Sequence, residues 1–388
     1  MNIHQIDLNQ LNRFETPYYY YDLDLLNATL TTAKQAADRR GFHVHYALKA
    51  NFNDRILQII QSKGFGADCV SGNEVQKSID FGFEANKITF AGVGKSDKEI
   101  ILALKHQIFA FNVESIQELL VINELAGKIG VKAQVSLRIN PNVDAHTHHY
   151  ITTGLDENKF GVPNSELENA AAVLRECKNL ELLGLHFHVG SQITDINVFK
   201  SLCVKVNEWK SWFEERGTAI KILNVGGGLG VDYHEPDSNS IPDFEAYFDV
   251  FDKFLERTPQ QEVHFELGRA LVAQAGSLVS KVLYTKSGIK KNFLILDAGM
   301  TELMRPALYQ AFHKIEKLGN TNVGNEMNYD VVGPICESSD CFGKEVSLPV
   351  SERGDLIAIR TAGAYGEVMA SKYNLREEIR YVYSDELV

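Results

Sequence analysis

The chain lacks most features that would settle its class at a glance. No stretch approaches the ~20 consecutive apolar residues of a membrane span. The opening segment, MNIHQIDLNQLNRF, lacks the basic-then-apolar pattern of a signal peptide, so a cytoplasmic protein is expected. Five cysteines, Cys69, Cys177, Cys203, Cys336 and Cys341, are odd in number and contain no CxxC pair. That argues against a disulfide framework and for reduced thiols. Basic charge is short: 39 Lys and Arg against 51 Asp and Glu give a formal charge of −12. An acidic surface of this kind excludes nucleic acid or an anionic membrane as the main partner. No low-complexity linker and no strict repeat interrupts the chain. What remains is an ordinary globular profile, 44% hydrophobic and 23% charged over 388 residues. That length fits two domains, or one large barrel with an appendage.

Short apolar runs of β type alternate with helical stretches. The runs are HVHYALK from His43, GADCV from Gly66, ITFAG from Ile88 and FAFNV from Phe109. AQVSLRIN from Ala133, LLGLHFHVG from Leu182, ILNVGGG from Ile222 and EVHFELG from Glu262 complete a set of eight. Helical periodicity and start signals lie between them, as in Ser115–Ile129, opened by SIQE, and Asn197–Arg216. Eight β-runs alternating with helices predict an α/β fold, a (β/α)8 TIM-type barrel over residues 24–270. Beyond Gly276 the texture changes. SLVSKVLYT, KNFLILDAG, YDVVGPIC and DLIAIRTAGAYG are strand-like. Residues 271–388 therefore predict a mostly-β domain, joined by residues 1–23, whose TPYYYYD run can pair with the C-terminal sheet.

Chemistry on such a barrel sits at the C-terminal ends of its strands. The first run ends at Lys49. Partial desolvation there would free a neutral amine to attack an aldehyde; a rim lysine paired with a carboxylate is the plain alternative. The seventh run ends in Gly226, Gly227 and Gly228, whose backbone N–H groups can approach an anion where barrels often hold phosphate, or can simply form a tight turn. Glu266 ends the eighth run. It can face a pyridine nitrogen and keep it protonated, or pair with Arg269. Residues two apart on a strand point the same way, so His186 and His188, like His43 and His45, suggest either a metal pair or an imidazole stacked on a cofactor ring. His146, His148 and His149 form a further loop cluster.

HYALKAN, GADCVSGNEV, SLRINPNVDA, HFHVGSQI, NVGGGLG, ELGRA, GPICESSD and TAGAYG resemble, in order and spacing, the motifs of the diaminopimelate decarboxylases. These belong to the pyridoxal-phosphate class that includes alanine racemase and the eukaryotic-type ornithine decarboxylases. The resemblance runs from about Pro17 to Arg376. It implies pyridoxal 5'-phosphate as cofactor, no metal, and a homodimer with shared active sites. It implies decarboxylation of meso-2,6-diaminopimelate to L-lysine and carbon dioxide, the last step of lysine biosynthesis. Lys49 would be the tethering lysine. His188 would stack on the ring, and Glu266 would pair with its nitrogen. Ser191, Gly226–Gly228 and the backbone at Gly268 and Arg269 would hold the phosphate. Tyr365 would contact cofactor and substrate. Arg269, Arg305 and Tyr309 match the positions gripping the distal carboxylate. Cys336, as proton donor, and Glu337, at the distal amine, would come from the neighbouring subunit. One departure is Leu267, where the family usually has proline; altered local stiffness is expected rather than lost function.

Three other readings compete. A related decarboxylase would act on ornithine, arginine or carboxynorspermidine, but a basic distal group calls for carboxylates where Arg269 and Arg305 stand. A non-catalytic cofactor-binding homologue would lack the second domain, Lys49 or Cys336. A metal-dependent hydrolase needs none of the glycines and leaves Lys49 idle.

Overall fold

The structure, a computed structural model, describes residues 3–143, 159–319 and 325–387. His146, His148 and His149 lie outside the described residues. Two compact units divide the chain. Met1–Thr29, Val231–Pro242 and Arg269–Val388 form one, and Leu30–Gly230 with Asp243–Gly268 the other. The first strand, β1 (Tyr18–Tyr21), belongs to the former, and the eight that follow belong to the latter.

Those eight are β2 (Phe42–Ala47), β3 (Gly66–Cys69), β4 (Ile88–Phe90) and β5 (Ala110–Val113), then β6 (Ala133–Arg138), β7 (Leu180–His186), β8 (Ile222–Asn224) and β9 (Glu262–Leu267). They pair in parallel and in chain order, and β9 closes on β2 with Val44 opposite Phe265. The expected (β/α)8 barrel is therefore present. Local chemistry sets its helices. Ser115 caps Ile116–Ile129 by accepting from the Glu118 N–H, and Gly130, at φ 71°, ends that helix in a left-handed turn. Gly184 shows why β7 approaches β8 so closely: a Cβ there would lie 1.9 Å from the Ile222 carbonyl oxygen.

The other unit is mostly β, as expected. It contains β10 (Gly276–Ser287), β11 (Asn292–Leu296), β12 (Ile315–Lys317), β13 (Glu326–Val332), β14 (Cys341–Pro349), β15 (Leu356–Ile359) and β16 (Arg380–Tyr383). The run β12-β15-β10-β11-β13-β14 forms its sheet, and β1 joins antiparallel to β10 and parallel to β16. The four tyrosines of β1 are all buried, so both faces of that strand are covered. Tyr18 and Tyr20 pack with Val279, Leu356, Ala358 and Val382. The hydroxyls find acceptors, Tyr19 at the Glu302 carbonyl (2.8 Å) and Tyr18 at the Leu11 carbonyl (3.2 Å). Among the described residues, no helix is long and apolar enough to cross a membrane.

Candidate active site

The barrel gathers its polar side chains at the C-terminal ends of several strands. Lys49 lies just past β2, in a single helical turn Leu48–Ala50, rather than on the strand itself. Its side chain is 38% exposed, and its ammonium donates to Asp68 Oδ2 at 3.0 Å. The ion pair named as the plain alternative for Lys49 is therefore present. Asp68, on β3, is fully buried. Burial pushes its carboxyl upward, the nearby Glu266 adds to that, and Lys49 opposes both.

Glu266, on β9, is held the other way. Asn112 and Asn224 each donate an amide N–H to Oε1 at 2.7 Å, and His186 Nε2 lies 3.0 Å from Oε2. Burial alone would raise its pKa, but the charge and hydrogen bond of His186 and the charge of Lys49 outweigh it and keep the carboxylate ionised. Two buried carboxylates near one lysine are therefore shifted in opposite directions, the one with more donors downward.

His186 and His188 do not act as a pair. His186 serves Glu266, while His188 Nδ1 accepts the Gly227 N–H at 3.3 Å. Burial, with Arg138 and Lys49 nearby, drives the His188 pKa well below the ordinary value, so the ring is neutral. The glycine turn makes hydrogen bonds of its own. Gly226 donates to Asn224 Oδ1 at 2.9 Å and Gly227 to His188, so two of the three N–H groups are used within the chain. Gly226 and Gly228 have φ of 68° and 111°, a path open to glycine. A Cβ on Gly227 would lie 2.0 Å from the Glu266 carbonyl oxygen. Ser191 lies in the loop after β7, between Gly190 (φ 137°) and Gln192 (φ 61°). Gly268 follows β9, where a Cβ would meet the Cβ atoms of Ala50 (3.0 Å) and Ala47 (3.2 Å), the neighbours of Lys49. Leu267, at the usual proline position, is the buried last residue of β9.

The β-rich unit gathers a second set. Arg269 and Arg305 are both buried. The Tyr233 ring lies under both guanidinium groups, 4.9 Å from Arg305 and 5.9 Å from Arg269, and Arg269 also lies over Tyr365 at 4.9 Å. Tyr365 adopts φ 55°, a left-handed backbone uncommon for an aromatic residue. Tyr309 ends the helix Arg305–Tyr309, which has Pro306 in its first turn. Cys336 and Glu337 are exposed. The Cys336 N–H donates to Asn374 Oδ1 at 3.3 Å, and Tyr373 donates its hydroxyl to Glu337 at 2.8 Å.

Reading the sequence alone misses Asp68, Asn112, Asn224, Tyr233 and His313. Asp68 had a signal: a carboxylate inside the short buried strand GADC. The two asparagines look ordinary in sequence and become visible only when three strands bring them to one carboxylate.

The set fits pyridoxal phosphate. A lysine amine reaches the barrel mouth, and an ionised carboxylate lies within the charge field of that lysine. A left-handed glycine turn, Gly226–Gly228, presents backbone free of side chains just past β8. Buried Asp68 Oδ1, Asn112 Oδ1 and His186 Nδ1 also lack partners within the described protein. An amine, an ionised carboxylate and a side-chain-free turn are the kinds of group such a cofactor calls for.

Comparison with known proteins agrees. Residues 23–273 match the family model described as pyridoxal-dependent decarboxylase, pyridoxal binding domain, which defines the class. The diaminopimelate decarboxylase of Bacteroides thetaiotaomicron is 54% identical over 98% of both chains. The crystal structure of the Helicobacter pylori diaminopimelate decarboxylase complexed with L-lysine superposes with a TM-score of 0.91 at 40% identity, covering 97% of this chain and 94% of that one. The M. jannaschii enzyme in co-complex with L-lysine gives 0.88 at 36%, covering 97% and 88%. The chain belongs to the diaminopimelate decarboxylase family.

Proposed function

We propose that this protein decarboxylates meso-2,6-diaminopimelate to L-lysine and carbon dioxide with pyridoxal 5'-phosphate, as a cytoplasmic homodimer. The observation that carries the substrate is the buried guanidinium of Arg305 beside that of Arg269, stacked on one tyrosine. Two buried cations side by side call for an anionic ligand group, and a second carboxylate on the substrate supplies it. Ornithine and arginine carry a cation at that end and would be repelled.

Bound at the barrel mouth, the cofactor supplies a carbonyl that takes the substrate amine and a ring that accepts the electron pair left when carbon dioxide departs. Lys49 is the amine that tethers it, and Asp68 orients that amine. Glu266, ionised by its three donors, holds a proton on the ring nitrogen. His188 offers a neutral face for stacking. Ser191, the Gly226–Gly228 turn and the backbone at Gly268 and Arg269 hold the phosphate. Arg269, Arg305 and Tyr309 grip the far carboxylate, and Tyr365 contacts the near end.

Exposed Cys336 and Glu337 serve the neighbouring copy in the dimer. The thiol returns a proton to the carbon that lost carboxylate, and the carboxylate balances the far ammonium. In functional terms residues 24–270 hold the cofactor, while residues 1–23 and 271–388 complete the substrate site across the dimer.

The test is lysine release by purified protein with pyridoxal phosphate and meso-diaminopimelate, run beside ornithine, arginine and carboxynorspermidine. Lysine and carbon dioxide from diaminopimelate alone are expected. Turnover of another amino acid in its place would overturn the substrate assignment, and bound cofactor without any turnover would overturn the activity.

A further inference from the structure

Two buried arginines of the β-rich unit are treated in opposite ways. Arg360, just past β15, has its charge compensated: Asp237 and Glu316 each lie 2.7 Å from its guanidinium. Such a residue is part of the scaffold. Arg305 is equally buried, at 6%, yet among the described residues its side-chain hydrogen-bond partners are not carboxylates: His313 Nε2 at 2.8 Å and Tyr233. Burial pushes the Arg305 pKa below the ordinary guanidinium value; Tyr233 resists, and the neighbouring Arg269 adds to the push. A cation placed this way awaits an anion.

The protonation of His313 follows from its partners. Its ring is 2% exposed. Nδ1 lies 2.8 Å from the Arg360 backbone carbonyl, which can only accept, so Nδ1 carries the hydrogen. Nε2 faces a guanidinium, which can only donate, so Nε2 carries the lone pair. Both bonds are satisfied by one neutral tautomer and by no other form. Burial and the charge of Arg305 push the His313 pKa down to about 3, in the same direction. Tyr233 packs against the ring nearly at right angles, at 5.2 Å and 83°.

We propose that His313 is a positioning residue: it aims the Arg305 guanidinium through a neutral acceptor, so that the charge stays available to the far carboxylate of the substrate. A carboxylate at position 313 would hold the same guanidinium but would cancel its charge. This role rests on the function proposed above and deepens it, because it names what makes that site select a substrate with a second carboxylate.

The experiment compares wild type, His313→Ala, His313→Gln and His313→Glu in the holoenzyme. Each is checked for folding by circular dichroism. The readouts are kcat and KM for meso-diaminopimelate and the inhibition constant of pentane-1,5-diamine, the same skeleton with neither carboxylate. His313→Ala is expected to raise KM roughly 10- to 100-fold, the worth of one hydrogen bond to a charged group, while leaving inhibition by the diamine within about 2-fold. His313→Gln, which can accept from Arg305 and donate to the Arg360 carbonyl, should recover most of the loss.

His313→Glu separates aim from charge and remains informative if the alanine variant fails to fold. It should raise KM well above that of His313→Gln. Equal KM for the two variants would overturn the proposal, as would parallel changes in KM and inhibition by the diamine, which mark a merely structural residue. A wild-type protein that releases no lysine from diaminopimelate would instead overturn the functional reading, and this role with it.

Discussion

At the scale of single residues, donor count and neighbouring charge decide which buried groups stay charged. Glu266 has three donors and keeps its charge; Asp68 is equally buried, and its carboxyl is pushed upward. His313 gives the pH prediction. Its folded pKa, about 3, lies below the ~6.5 of an unfolded histidine, so the unfolded chain takes up the proton first. The stability from its neutral burial is complete above about pH 6.5 and is lost as pH falls toward 3, at most ~1.4 kcal/mol per pH unit. The stability gap between wild type and His313→Gln, measured by urea unfolding, should therefore shift by roughly 2 kcal/mol against wild type from pH 7 to pH 5. A gap that does not change with pH would show that His313 is not buried as a neutral ring. Lys49 and Glu266 were legible in sequence because a charged residue at the end of an apolar run is conspicuous. His313 was not, since nothing in RPALYQAFH announces that its ring will meet the Arg360 carbonyl across 47 positions.

Among the elements, all eight barrel strands could be read from apolar β-runs between helices with clear start signals, since β2 to β9 are largely buried and their apolar content follows from that. The β-rich unit was read less fully. β10, β11, β13 and β15 carry strong apolar runs, but β12, β14 and β16 were missed. β14 alternates charged, exposed positions such as Lys344 and Glu345 with few buried ones, and β12 has three residues. Their order comes from partners rather than from composition. The segment 231–242 was expected within the barrel but groups with the β-rich unit, bringing Tyr233 beneath Arg269 and Arg305. The turn after β8 supplies a prediction at this scale. Gly227→Ala sets a methyl against the Glu266 carbonyl, backbone on backbone, whereas a Cβ on Gly130 meets nothing within 4 Å. Gly130→Ala should cost about 1 kcal/mol, from its positive φ alone. Gly227→Ala should cost more than ~2 kcal/mol and lose bound cofactor, read from thermal unfolding and the visible absorbance of the holoenzyme. Equal effects of the two substitutions would show that the glycine turn is not close-packed on β9.

For the whole molecule, the exposed pair Cys336 and Glu337 makes sense if a second copy covers it. Mixing inactive Lys49→Ala with inactive Cys336→Ala tests this, since a heterodimer with shared sites contains one intact site and one doubly defective site. Unfolded, mixed in equal amounts and refolded, the pair should regain about a quarter of wild-type activity by random pairing. No recovery would place both residues in the same protomer's site. Substrate choice turns on the buried cation at Arg305. The measurement that tests it most directly is kcat/KM for meso-diaminopimelate and for ornithine, in wild type and in Arg305→Ala. Wild type should favour diaminopimelate strongly, and Arg305→Ala should lower its kcat/KM by on the order of 100-fold or more while leaving ornithine unchanged or improved. If the ratio of the two substrates stays the same in the variant, Arg305 does not read the far carboxylate and the account is wrong.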